Sequence, residues 1–212
     1  MKAPVVVLDA ANPVGRGVVE ASLALSRPVI AVSRDAKALA SLHARRHDFA
    51  RKGVELIVLE GSVADEAAAE QLASDLRALE RPLAGIVLAL CSEPPRGRVL
   101  DQPARELHRR LELDLLPHQA AARHLLPVLS AAGRNGGYVV IGSAGTDHPW
   151  VGYGYRSIAA AAIAMLVRVL HNEARLLGVR VQMLAVSRPV KSEENHEAAC
   201  TGWPDATELA RQ

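Results

Sequence analysis

Two glycines, Gly15 and Gly17, follow the first apolar run in the stretch Asp9-Ala-Ala-Asn-Pro-Val-Gly-Arg-Gly17. Glycines after a strand let backbone come close to a pyrophosphate at the N-terminus of the next helix. Pro13 removes one backbone donor from the same turn. A plain strand-to-helix turn that needs a small residue reads equally well, and the turn alone does not choose. His43 and His47 stand four apart, as metal ligands on one helix face sometimes do. With no third ligand in view they read as a solvated face, and no metal is expected. Cys91 and Cys200 lie far apart without ligand spacing, which suits reduced thiols in a cytoplasmic protein better than a disulfide framework. Arg45-Arg46, Arg51-Lys52 and Arg105/Arg109/Arg110 are basic clusters without interleaved aromatics. Nucleic-acid binding is not expected from them.

The elements that must position these residues are legible as alternation. Apolar runs at 5–9, 28–33, 54–59, 84–90, 137–142 and 179–186 are rich in Val, Ile and Leu on both faces, as parallel strands covered by helices on both sides require. Helical patterns occupy 14–26, 35–52, 65–80 (with Ser62 as a capping-type residue), 102–132 and 155–177. Pro117 and Pro127 predict a kink or break in the fourth. In the fifth, Ile158, Ala162, Met165, Leu166, Val169, Leu170 and Leu177 recur at three and four. The pattern predicts an α/β fold, a single doubly wound, Rossmann-like parallel sheet of about six strands. Residues 1–190 read as this domain and 191–212 as a polar C-terminal tail with a short helix at 204–211. The chain has 212 residues, half of them hydrophobic, enough for one sizeable core. Its 25 basic and 23 acidic residues nearly balance, giving no field suited to nucleic acid or a membrane surface. No segment is expected to approach membrane-spanning length.

With the order of elements in view, residues 3–190 resemble the short-chain dehydrogenase/reductase family, classical type. That family opens with Thr-Gly-x-x-x-Gly-x-Gly. An ungapped match puts Ala10-Ala11 at its start; a match with one residue deleted puts Asp9-Ala10 there and makes Gly15 the last glycine. Both keep Gly15, and the distance to the second strand favours the deletion. The resemblance gives Arg34 the place where NADP-preferring relatives hold a basic residue for the 2′-phosphate, and Ser62 the place of an Asp that meets the adenine. The stretches GGYVVIGSAG and HPWVGYGYRSIAAAAIAMLVRVLHNEARLLGVRVQMLAV carry the most specific match. Ser143 fits the catalytic serine; Arg168, Leu170 and Glu173 fit the downstream helix; Gly178-Val-Arg-Val181 fits the next strand.

That register puts Arg156 at the family's tyrosine and Ala160 at its lysine, and the resemblance in the long fourth helix puts Asp114 at its relay asparagine. In the family mechanism the tyrosine moves a proton, the lysine lowers its pKa and holds the ribose, and the serine orients the carbonyl. A guanidinium does not release a proton at working pH, and alanine supplies no charge. Tyr155 is the one neighbour that could swing toward the cleft. The family's Asn-Asn-Ala-Gly becomes Ala89-Leu90-Cys91-Ser92, its Pro-Gly becomes Val186-Ser187, and its seventh strand is lacking. The sixth strand then needs cover from the tail or a partner. The sequence thus resembles a truncated, catalytically degenerate member. The implied function is a non-catalytic binding or assembly subunit, either the partner of an active ketoreductase-type relative or an NADP(H) sensor. The alternative is an NADP(H)-dependent oxidoreductase of altered mechanism acting on a small carbonyl or alcohol, with Ser143 and Tyr155 as its catalytic residues. Gly15, Gly17, Arg34 and Ser62 would hold NADP, unless that cofactor has been lost. The resemblance also implies a homodimer, or a heterodimer with a relative, through helices 102–132 and 155–177.

Overall fold

The computed structural model describes residues 2–51, 53–90, 97–133, 136–143, 145–146, 148–149, 151–186, 188, 190–191, 197 and 201–209, without the side chains of 45–48, 51, 207 and 209. Cys91, Ser92, Ser187, Cys200 and the side chain of His47 therefore lie outside the described residues, as does half of the tail.

Strands and helices alternate as β1 (Val5–Leu8), α1 (Pro13–Ala24), β2 (Val29–Ser33), α2 (Ala36–Arg51), β3 (Leu56–Glu60), α3 (Glu66–Ala78) and β4 (Gly85–Leu88). They continue with α4 (Ala104–Asp114), α5 (Leu116–Ala131), β5 (Gly137–Ile141), α6 (Gly154–Glu173), β6 (Arg180–Leu184) and α7 (Ala206–Leu209). The six strands form one parallel sheet in the order β3-β2-β1-β4-β5-β6. Successive strand residues point to opposite faces, so the apolar runs build two cores. Val6, Leu8, Ile30 and Ile86 meet Leu72 and Leu76 of α3 and Leu125 and Leu129 of α5. Val7, Val29 and Ala31 meet Val18, Val19 and Leu23 of α1 and Leu42 of α2. This is the expected doubly wound, single-sheet architecture. Strand order reverses beside β1, and ligands of such folds sit in the crevice beyond the strand ends at that reversal.

Local chemistry explains most boundaries. Asp65, not Ser62, caps α3, its carboxylate accepting from the Ala68 amide at 2.9 Å. Ser62 instead accepts from the Ala64 amide in the turn before it. The long fourth helix breaks at Leu115, where α4 ends and α5 begins. Pro117 falls in the first turn of α5, where its missing N–H costs nothing. Pro127 lies inside α5, which nevertheless runs on to Ala131.

Two findings concern the tail and α6. The described part of the tail seats away from β6: α7 packs on α1, and Lys191 bridges to the residues before α7 through its amide to the Pro204 carbonyl. The outer edge of β6 has no strand partner among the described residues. Secondly, α6 with its 3-10 extension, Gly154–Leu177, is long and apolar enough to cross a membrane by length and composition alone. Here it packs on α4, α5 and β6 as a helix of the domain.

Candidate functional site

A cleft of about 290 Å³ opens where the strand order reverses. Leu8 and Asp9 bring it the end of β1, Ser33 and Arg34 the end of β2, and Gly61 and Ser62 the end of β3. Its other end is walled by Asp114 from α4, Pro117 and His118 from α5, Ser143 beyond β5, and Arg156 and Ala160 from α6. The expected Arg34, Ser62, Asp114, Ser143, Arg156 and Ala160 are thus brought together.

The first turn of α6 decides which side chains enter. Arg156, Ala159, Ala160 and Ile163 repeat at three and four and share the cleft face. Tyr155, one position back, is 3 % exposed and does not line the cleft. The expectation that Tyr155 could reach it is therefore corrected. A residue adjacent in a helix turns about 100° away, so one register step moves a side chain off the face. Ser157 is buried and donates from its hydroxyl to the Tyr153 carbonyl at 3.4 Å, tying down the same turn. Arg156 is half-buried, and its guanidinium makes no ion pair or hydrogen bond among the described residues. Ala160 leaves the neighbouring wall small and uncharged.

His118 is the residue the sequence reading missed. It lies four beyond Asp114, across the break between the helices, and only the fold shows that it reaches the cleft. It is 4 % exposed, and its Nδ1 has no hydrogen-bond partner among the described residues. Burial lowers its pKa to about 4, so the ring is neutral at physiological pH. Asp9, also unanticipated as a site residue, sits at a positive φ of 58°, which Asp tolerates better than most side chains.

The turn after β1 shows what the glycines do. A Cβ on Gly15 would collide with the Asp9 carbonyl oxygen, so Gly15 allows α1 to pack against the strand end. That is the role of the family's last glycine, and it agrees with the deleted alignment. Gly17 is not brought to the cleft: a Cβ there would lie 2.6 Å from the Ala206 backbone. It is where the tail seats on α1.

The same turn has closed its own anion seat. Asn12 caps α1, its Oδ1 accepting from the Gly15 amide at 2.8 Å. Its Nδ2 donates to the Asp9 carboxylate at 2.8 Å and to the Ala89 carbonyl at 2.5 Å. Pro13 has no N–H, which leaves Val14 as the only uncommitted amide of the first three helical positions among the described residues. A bridging diphosphate needs several such amides and no resident anion, whereas here a carboxylate lines the cleft. Arg34 and Ser62 suit the adenosine phosphate of a dinucleotide. The diphosphate seat does not fit it, and Ala160 offers no cation to its second ribose. Among the described residues no group of three or more His, Cys, Asp or Glu gathers as a metal site.

Comparison with known proteins accords with the sheet order and the cleft. The family described as enoyl-(acyl carrier protein) reductase matches residues 10–199. An NADPH-bound short-chain oxidoreductase from Pseudomonas aeruginosa PAO1, described as containing an atypical catalytic center, superposes with a TM-score of 0.85 at 21 % identity, over 99 % of this chain and 87 % of that one. A short-chain dehydrogenase from Streptomyces avermitilis gives 0.79 at 22 % identity, over 100 % and 82 %. L-sorbose reductase from Gluconobacter frateurii, complexed with NADPH and L-sorbose, gives 0.81 at 16 %, over 99 % and 87 %. At these identities the structures speak for the fold alone. No curated protein is a significant sequence match. The family match over most of the chain, on a six-stranded parallel sheet with Ser143 at its cleft, makes this protein a member of the short-chain dehydrogenase/reductase family.

Proposed function

We propose that this chain is a non-catalytic member of its family, serving as an assembly subunit that pairs through the helices spanning 102–132 and 155–177. Its partner is an active ketoreductase-type relative or a second copy of itself. The observation that carries this reading is Arg156 on the cleft wall, with Ala160 one turn on and Tyr155 buried away from it. A guanidinium holds its proton at any working pH, so no group at this position replaces the phenol. The closed diphosphate turn weighs against the NADP(H)-sensor version. Pairing is supported by apolar side chains turned outward on both helices: Ile158, Met165, Val169 and Leu176 along α6 and its extension, Leu113 and Leu116 at the α4–α5 break. Soluble chains seldom leave such stripes uncovered. A cytoplasmic setting belongs to the same reading.

Ser143 in the cleft, together with Arg34 and Ser62, favours a second reading. In it the chain is an NADP(H)-dependent oxidoreductase of altered mechanism, Ser143 polarising a small carbonyl. Titration with NADPH and NADH, followed by turnover across a carbonyl panel, separates the two. The assembly reading expects no saturable cofactor binding, no turnover, and a particle of twice the chain mass alone or with an intact relative. Sustained NADPH oxidation that depends on Ser143 would replace it with the second reading.

A further inference from the structure

The cleft has lost the seat for a diphosphate yet keeps an unpaired cation, and this combination has a ligand chemistry of its own. Arg156 presents a half-buried guanidinium with no partner among the described residues. Such a fork is matched by a carboxylate, which accepts two parallel hydrogen bonds. Ser143 lines the same end and adds a hydroxyl donor. Around them Leu90, Leu113, Pro117 and Ile163 give apolar wall, and the neutral His118 ring closes the floor. Two acids, Asp9 and Asp114, line the cleft as well. Asp9 is held by Asn12, and Asp114 also has a partner. Their charge repels a phosphate dianion more than a single carboxylate, so the pocket discriminates by charge number. At about 290 Å³ the space suits a small molecule.

We infer that the cleft binds a small monocarboxylate with a hydrocarbon body, its carboxylate on Arg156 and Ser143 and its chain along Leu113, Pro117 and Ile163. This rests on the reading that the site no longer performs hydride transfer, and it gives the degenerate cleft a function as a ligand-binding site.

The probe is hexanoate, with hexanamide and inorganic phosphate as comparisons, measured by calorimetric titration on the full chain. Saturable hexanoate binding is expected, with neither comparison bound. Arg156→Met should weaken it about tenfold or more, the scale of one charge-assisted contact, and Arg156→Lys should weaken it less. Arg77→Met, at the exposed end of α3 and outside the cleft, should leave it unchanged. A second groove of about 740 Å³ shares Ser143 and contains Arg168, so Arg168→Met must also leave binding unchanged. Unchanged melting of Arg156→Met keeps the result about the site. Equal binding by Arg156→Met, loss in Arg168→Met instead, phosphate bound as well as hexanoate, or no hexanoate binding would each overturn the inference. Failure of the assembly reading shows separately, as NADPH turnover by the unmodified chain.

Discussion

At the scale of single residues, the cleft is shaped by which face of the first α6 turn holds which side chain. Arg156 and Ala160 are on the cleft face, and Tyr155 is packed inside. On the non-catalytic reading, placing a tyrosine and a lysine on the cleft wall by Arg156→Tyr with Ala160→Lys should still give no NADPH oxidation above background in a spectrophotometric assay, because Asn12 and Asp9 hold the turn after β1. Measurable turnover would mean that the turn opens. His118 supplies a second expectation. Its folded pKa lies below the unfolded value of about 6.5, so the unfolded chain takes up the proton first as pH falls. Stability is therefore flat above about pH 6.5 and declines from there toward pH 4, by about 1.4 kcal/mol per pH unit for one proton. Denaturant titrations across that window should show His118→Leu losing one proton of dependence. Glu66, held below the usual carboxylate range first by its hydrogen bond to His124 and then by Arg123, also weakens in acid, so Glu66→Gln is the control. The positions of Arg156 and Ala160 were legible because the spacing from Ser143 to Gly178 fixes the register, and that of Asp114 because the resemblance extends to the long fourth helix. His118 and Asp9 were not, since a helix break and a capped turn deliver them.

Among the elements, the strands followed from their apolar runs within a residue or two, since a parallel strand buried on both faces admits few other patterns. Helix faces were harder to read. Of the apolar set assigned to α6, Ile158, Met165 and Val169 point to solvent, while the small Ala159, Ala160 and Ala164 are buried. Alanines suit close contact in a crowded interior and carry little hydropathic signal, so periodicity marked the outer stripe instead. Strand β5 carries a buried cost of another kind. Tyr138 is fully buried, burial pushes its phenol far up, and its hydroxyl has no hydrogen-bond partner among the described residues. Tyr138→Phe removes an unsatisfied polar group at constant shape, so thermal unfolding should shift upward by about 2–4 °C, or about 1 kcal/mol. A lower melting temperature would mean that the hydroxyl has found a bond partner.

On the scale of the whole molecule, the outward stripe on α6 and the attachment of α7 to α1 set behaviour that no single site explains. Met165→Asp places a charge in the middle of the stripe and should convert a dimer to monomer in light scattering, with cleft ligand binding unaffected. Gly17→Val drives a side chain into Ala206, so the tail should come away. Unfolding should then move by about 1–3 kcal/mol, and proteolysis in the 188–205 region should speed up. This attachment also sets an order of events during synthesis. Residues near 17 emerge from the ribosome long before their neighbour at 206. A nascent chain can assemble the β1–β4 half while its first helix still waits, one flank open to water and to chaperones. Such a distant closure makes folding slow compared with a fold stitched from neighbours, and chains that stop before 206 should be more protease-sensitive than chains that include it.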